Sequence, residues 1–187
     1  MTRRTVRSGL ALMFTLLLAA PLAGCDEATT DTRPDSERIV GTWTAASASV
    51  IVRSVPIPIR VADLTSAGDE QSFTFAQDGR FAFVFDPQDG RTISVTALGQ
   101  TVSVPVSQTV RLAGTYTLDT GTQTITFSTV PGQTVDDFQL GYGFSGSRLD
   151  LKANDFATLV RLFGFAGTGA DQLAQIVTGG QLSYTGS

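Results

Sequence analysis

The side chains that could perform chemistry are few in this chain. Its 187 residues include no histidine and a single cysteine, Cys25. Without histidine, the chain lacks the usual general base, the commonest metal ligand and any Ser-His-Asp or Cys-His site. Zinc takes cysteine or histidine ligands in nearly every site and is disfavoured for the same reason. The composition therefore predicts a protein that is not an enzyme and that holds no metal ion.

Two groups of carboxylates remain, and neither has the spacing of a reactive site. Asp86 and Asp89 share a short loop, which offers too few oxygens for calcium and fits a plain turn better. Asp136 and Asp137 are adjacent, and adjacent strand residues point to opposite faces. By themselves they therefore cannot be the acid and base of glycoside hydrolysis. A loop that leads into a strand is the better interpretation of this pair.

The segment 141–146 matches, by its letters, the pattern G-x-G-x-x-G of dinucleotide-binding loops. Such a loop must follow a strand and open a helix within a βαβ unit, and this segment does neither. A glycine-rich barrel strand that bends is the better interpretation. We expect no cofactor.

Cys25 stands at the end of a leader-like N-terminus. Arg3, Arg4 and Arg7 form a positive segment, and an uncharged apolar run over residues 9–20 follows. This run is too short to span a bilayer, which needs about 20 apolar residues, and its length is typical of a secretory leader.

The motif Leu22-Ala23-Gly24-Cys25 resembles the lipobox of bacterial lipoproteins. The resemblance implies that the Cys25 thiol receives a diacylglyceryl group, that residues 1–24 are removed as a signal peptide, and that the new α-amine can be acylated. An ordinary signal peptide with a coincidental cysteine is the alternative. Lipidation would place the protein in the bacterial cell envelope, anchored to the outer or the inner membrane and facing the periplasm or the surface.

The mature chain is acidic. Removal of the leader takes away three of the 13 basic side chains and none of the 17 acidic ones, which leaves a formal charge of −7. Such a surface repels nucleic acid and anionic headgroups, so we expect no nucleic-acid partner and expect the lipid alone to hold the protein on a membrane.

Residues 25–37 comprise the cysteine and a polar, charged stretch without apolar periodicity, which predicts a flexible tether. Residues 38–187 are predicted to form one domain, long enough to build a core without disulfide bonds. Between residues 39 and 151, threonine, valine and phenylalanine recur with a period of two between turn signals, which predicts antiparallel strands.

The clearest hairpin surrounds Asp78-Gly79. Its strands alternate phenylalanine with smaller residues, which places five rings on one inward face: Phe73, Phe75, Phe81, Phe83 and Phe85. Three more hairpins are predicted over residues 92–106, 108–129 and 138–152. The prolines of segment 55–59 indicate an edge, a bulge or a crossing segment. In total we predict a mainly β domain of about eight to ten strands, an up-and-down barrel or a sandwich.

Helical spacing replaces this alternation after residue 155. Phe156, Leu159, Val160 and Phe163 predict an amphipathic helix between a cap at Asn154 or Asp155 and Gly164, which follows the helix. A capping box at residues 168–171 predicts a second short helix over residues 172–178. A last strand is predicted over residues 181–185.

The opening Gly41-Thr42-Trp43 resembles that of the lipocalins, most closely the bacterial lipocalin-like lipoproteins. Phe81 after Asp78-Gly79, and the strands 114–118 and 124–127, also resemble that group. The resemblance implies a lipocalin-like antiparallel barrel over residues 38–152 with a late helix. It also implies a cation from a late element over the indole, for which Arg148, Lys152 and Arg161 are the candidates. A large indole at the first strand would plug the barrel end, and Gly41 would let another backbone come close.

The phenylalanine face allows two functions. It can line a cavity for a small apolar ligand, with Phe75, Phe81, Phe83, Phe85 and Tyr116 as binding residues, or it can fill the barrel. We expect a lipid-anchored, non-catalytic envelope lipoprotein that binds a small apolar ligand. The alternative is an interaction or structural module with a solid core, whose loops near residues 55–59 or 141–146 contact an envelope protein.

Overall fold

The computed structural model describes residues 31–52, 59–64, 68–87, 91–97, 100–131 and 136–186. The described strands are β1 Gly41–Val52, β2 Ile59–Asp63, β3 Glu70–Phe75, β4 Arg80–Asp86, β5 Arg91–Ala97, β6 Gln100–Val106, β7 Val110–Asp119, β8 Thr124–Thr129, β9 Phe138–Ser145, β10 Arg148–Ala153 and β11 Val177–Gly186. The described helices are α1 Asp35–Arg38, α2 Phe156–Phe163 and α3 Thr168–Ile176. Residues 1–30, which contain the predicted leader and Cys25, and the proline-rich segment 53–58 lie outside the described residues.

Eight of these strands close into an antiparallel barrel. Around the barrel the order is β1, β3, β4, β7, β8, β9, β10 and β11, and β11 pairs with β1 to complete the circle. Closure removes the edges that an open sheet would expose. The prediction of a mainly β, lipocalin-like antiparallel barrel with short C-terminal helices is therefore confirmed, and the sandwich alternative is excluded.

The period-two pattern places large side chains inside the barrel. The register of the β3–β4 hairpin sets Phe73 opposite Phe83 and Phe75 opposite Phe81, and all four rings are buried. The intervening Thr74 and Ala82 are exposed. Alternation of this kind is what a strand with one face in the core requires.

The β5–β6 hairpin is predicted correctly as a hairpin but lies outside the barrel. Its two strands form a separate sheet, inserted between β4 and β7. One face buries Val95 and Val104, while the other carries hydroxyl pairs such as Ser94 with Ser103. The hairpin packs against β2 and α3, so its alternation reflects a local core and not the barrel interior.

The first C-terminal helix forms as predicted. The Asp155 side chain accepts from Thr158 N at 2.7 Å, and Gly164 ends α2 in the left-handed conformation, with φ 62°. The second helix, α3, begins at Thr168 after Gly167, with no side-chain cap. The predicted capping box is therefore wrong, because Thr168 is the first helical residue and not the cap. None of the described helices is long and apolar enough to cross a membrane.

Candidate functional site

The barrel interior is occupied by a cluster of aromatic rings that reaches across it. Phe73 lies 4.5 Å from Phe83, ring centroid to centroid. Phe127, which comes from β8 on the far side of the barrel, lies 5.7 Å from Phe73 and 4.8 Å from Phe81. Phe138 stacks on Phe127 at 4.7 Å. These separations are those of rings in direct contact.

The predicted ligand-binding residues all belong to this packed interior or to its border. Phe75, Phe81, Phe83 and Phe85 are at most 4% exposed. Tyr116 is half-buried, its ring stands edge-on to Phe75 at 5.0 Å, and its hydroxyl donates to the carbonyl of Ala76. Burial, with a smaller effect of Asp78, raises the pKa of Tyr116. Phe163 of α2 covers Phe85 at 4.9 Å and so closes one end of the cluster.

One polar pair lies inside the barrel, and sequence reasoning missed it. Gln71 Nε2 donates to the Tyr184 hydroxyl at 2.7 Å, and both side chains are buried. Burial raises the pKa of Tyr184 well above its ordinary value. Gln71 Oε1 has no hydrogen-bond partner among the described residues. A buried amide of this kind costs stability and holds the strands in one arrangement.

Trp43 lies at the opposite end of the barrel, near the start of β1. Its ring is 7% exposed, contacts Phe144 and packs against Gly186, while its Nε1 donates to the carbonyl of Ile39 at 2.7 Å. The prediction that Gly41 lets another backbone come close is wrong. A Cβ there would meet nothing within 4 Å, but φ is +138°, a conformation that glycine adopts far more readily than other residues.

The cation at this end comes from the N-terminal helix and not from a late element. The guanidinium of Arg38 lies 4.1 Å above the ring of Phe144, which is itself in contact with Trp43. The three candidates from the sequence make other contacts. Arg148 pairs with Asp150, Arg161 reaches Asp136 and the carbonyl of Asp137, and Lys152 borders an outer groove.

Helix α1 belongs to the folded domain, although the sequence places residues 35–37 in the tether. Asp35 accepts from the Tyr142 hydroxyl at 2.9 Å, and Arg38 reaches the carbonyl of Gly146. Burial, followed by the hydrogen bond to Asp35, raises the pKa of Tyr142 to about 12. The ordered contacts on this side therefore begin earlier than residue 38.

The outer surface carries a groove of about 910 Å³, across β9, β10 and β11. Gly141 and Gly143 form part of its floor, because their neighbours Leu140 and Tyr142 point inward. Lys152 stands opposite Gly141 on the adjacent strand. Two features of the sequence could have revealed this groove. They are the alternation of Gly141 and Gly143 on one predicted strand and the chain's only lysine, Lys152, on the next.

Asp150 also lines this groove, opposite Gly143. Its carboxylate accepts a hydrogen bond from the Ser183 hydroxyl and faces the guanidinium of Arg148. A Cβ built on Gly143 would meet nothing within 4 Å. The groove therefore offers charged and amide groups beside two glycines that present no side chain.

Three of the carboxylates considered above have structural partners, and Asp89 lies outside the described residues. Asp137 accepts hydrogen bonds from the Ser128 hydroxyl and from Thr129 N, and these bonds link the residue before β9 to β8. Asp86 faces Arg111 across β4 and β7. In the part of the chain that the structure describes, no three histidine, cysteine, aspartate or glutamate side chains are grouped to hold a metal ion.

No family model, no curated protein and no solved structure matches this chain.

Proposed function

We propose that this chain is a bacterial envelope lipoprotein, anchored through an acylated Cys25, that acts as a non-catalytic interaction module. In this proposal the barrel interior is a solid core, and the outer surface contacts another envelope protein. The supporting observation is the ring cluster, in which Phe73 and Phe127 reach each other across the barrel with centroids 5.7 Å apart. Side chains in such contact leave little space between them for a ligand.

The rival function is transport or presentation of a small apolar ligand inside the barrel. It needs space beside Phe75, Phe81, Phe83 or Phe85. The outer groove and two smaller depressions of the described residues are lined by other side chains and not by these rings. The geometry therefore favours the interaction module over the carrier.

The outer groove is the proposed contact surface. Gly141 and Gly143 line it without side chains, and Lys152 and Asp150 offer charges of both signs beside them. A partner chain in this groove would gain hydrogen bonds and charge contacts that set its orientation, as polar groups do in protein interfaces.

The anchor is tested by intact-mass analysis of protein extracted from membranes. The proposal predicts loss of residues 1–24 and added acyl mass on Cys25. Cys25→Ala should leave an unlipidated precursor. Release of the wild-type protein into the soluble fraction without detergent would contradict the anchor.

The contact surface is tested by cross-linking in intact cells. Once the α-amine of Cys25 is acylated, Lys152 carries the only primary amine of the mature chain, so an amine-reactive cross-linker reports on the groove alone. Lys152→Arg should abolish the cross-linked species. The matched control is Lys152→Arg combined with Arg148→Lys, which moves the amine four residues along the same strand and out of the groove lining. Equal cross-linking by this control would contradict the proposed surface.

A further inference from the structure

The barrel has two ends of different construction. Up-and-down pairing brings together, at one end, the start of β1 and the turns that join β3 to β4, β7 to β8 and β9 to β10. Helix α1 lies at this end, which we call the α1 end. The opposite end, called the α2 end, holds the end of β1, the starts of β3 and β11, and the helix α2.

The N-terminal segment is fastened to the α1 end by several independent contacts. Trp43 donates to the carbonyl of Ile39, and Tyr142 donates to Asp35. Arg38 reaches the carbonyl of Gly146 while its guanidinium lies over a ring. Asp31 continues the network through ion pairs with Arg33 and Arg38. The chain therefore enters the domain at the α1 end.

Little chain separates this network from the lipidation site. Five residues lie between Cys25 and Asp31, and six fully extended steps span at most about 22 Å. The stretch of β11 from Gly180 to Gly186 alone covers about 20 Å along the strand. A tether of that reach keeps the α1 end near the acyl chains, while the α2 end has room to lie a barrel length further out.

The two ends also differ in charge. Among the described residues, the α1 end has four arginines against five carboxylates: Arg33, Arg38, Arg80 and Arg148 against Asp31, Asp35, Glu37, Asp78 and Asp119. The opposite end, with α2, α3, β2 and the β5–β6 hairpin, has four arginines, Arg60, Arg91, Arg111 and Arg161, against eight carboxylates, Asp63, Asp69, Glu70, Asp86, Asp136, Asp137, Asp155 and Asp171. An anionic membrane surface repels the α2 end more strongly.

We propose that the α1 end faces the membrane and that the α2 end points away from it. This inference rests on the proposed lipidation of Cys25. The short tether and the α1 contacts then fix which part of the barrel is closest to the lipid headgroups. The α2 end, with its helices and the β5–β6 hairpin, is presented to the aqueous compartment.

Fluorescence energy transfer to a headgroup-labelled lipid measures this orientation. Because lipidation consumes the Cys25 thiol, a cysteine introduced elsewhere is the only free thiol of the mature protein. Gln77→Cys places a donor dye on the exposed β3–β4 turn of the α1 end, and Ala157→Cys places it on the exposed face of α2. Each variant is expressed from the full sequence, and its lipidated mature product is reconstituted in vesicles of phosphatidylcholine and phosphatidylglycerol.

We expect several-fold more transfer from the dye at residue 77 than from the dye at residue 157. A flexible Gly/Ser insert of 20 residues after Asp26 should reduce this difference. Equal transfer from both positions with the native tether, or more from residue 157, would overturn the orientation while leaving the anchor intact. A protein that carries no acyl mass and does not float with the vesicles would refute the anchor itself, and the orientation with it.

Discussion

The inner and outer faces of the barrel are built from alternate residues of the same strands, yet they differ sharply in side-chain size. On β9, Leu140 and Tyr142 point into the barrel, while Gly141 and Gly143 open the groove outside. On β4, three buried phenylalanines alternate with Ala82 and Val84. One pattern of period two therefore encodes two properties: stability on the inner face and an accessible surface on the outer one.

The largest expected effect comes from the centre of the inner face. Phe73→Ala removes a ring that contacts Phe75, Phe83, Phe127 and Tyr184. We expect a loss of about 3–5 kcal/mol in the free energy of unfolding, measured by urea denaturation. The matched control is Thr74→Ala, the next residue of the strand, which is exposed and should cost less than about 0.5 kcal/mol. Similar losses at both positions would contradict the proposed difference between the inner and outer faces.

Trp43→Ala tests the plug of the α1 end. The ring is buried and its Nε1 bonds to Ile39, so we expect a loss of about 3 kcal/mol in unfolding free energy, the lower part of the range for such truncations. Thr44→Ala, on the outward face, is the control. A loss well under 1 kcal/mol for Trp43→Ala would mean that the indole does not support the core.

Two strand glycines show the same difference between the inner and outer faces. A Cβ at Gly114 would lie 2.0 Å from the carbonyl oxygen of Ser128, whereas a Cβ at Gly143 would meet nothing within 4 Å. Gly114→Ala should therefore destabilise by about 1–3 kcal/mol through overpacking. Gly143→Ala should stay within about 0.5 kcal/mol. Thermal unfolding of both variants measures the difference, and equal melting temperatures would contradict the account of the groove floor.

The smallest expected effect is a dependence of stability on alkaline pH. The folded state holds the proton of Tyr142 more tightly than the unfolded chain does, because its pKa is raised from 10 to about 12. The resulting stability is complete below pH 10 and is lost as pH rises from about 10 to about 12. Urea midpoints should fall across that window, and Tyr142→Phe should remove part of the decline. An unchanged slope in this variant would refute the assignment to Tyr142.

Local patterns predicted most of the elements. The alternation of Phe73 to Phe85 identified a hairpin and its inward face. The spacing of Phe156 to Phe163 identified α2 with its end at Gly164, and the structure selects Asp155 from the two predicted caps. These features depend on residues that are close in the chain. The alternation typical of strands and the spacing typical of helices both involve residues a few positions apart. Both can therefore be recognised in the sequence itself.

Features that depend on distant pairing were not predictable in this way. The strands of the β5–β6 hairpin alternate like barrel strands, and nothing local indicates that they form a separate sheet on β2 and α3. The buried pair of Gln71 and Tyr184 joins residues 113 positions apart. Helix α1 is short and polar, and its contacts with Tyr142, Phe144 and Gly146 keep it on the barrel. A short helix of this kind has little stability of its own.

The filled interior is tested most directly by titrating an environment-sensitive apolar dye into two folded proteins. One is the mature chain with Cys25→Ser, which carries no acyl group, and the other adds Phe83→Ala. The account predicts no saturable binding by the first protein. For the second it predicts a loss of about 3–5 kcal/mol in unfolding free energy, since the ring is part of a packed core. Saturable one-to-one binding by the first protein, altered by Phe83→Ala at little cost in stability, would contradict the filled interior and restore the ligand carrier.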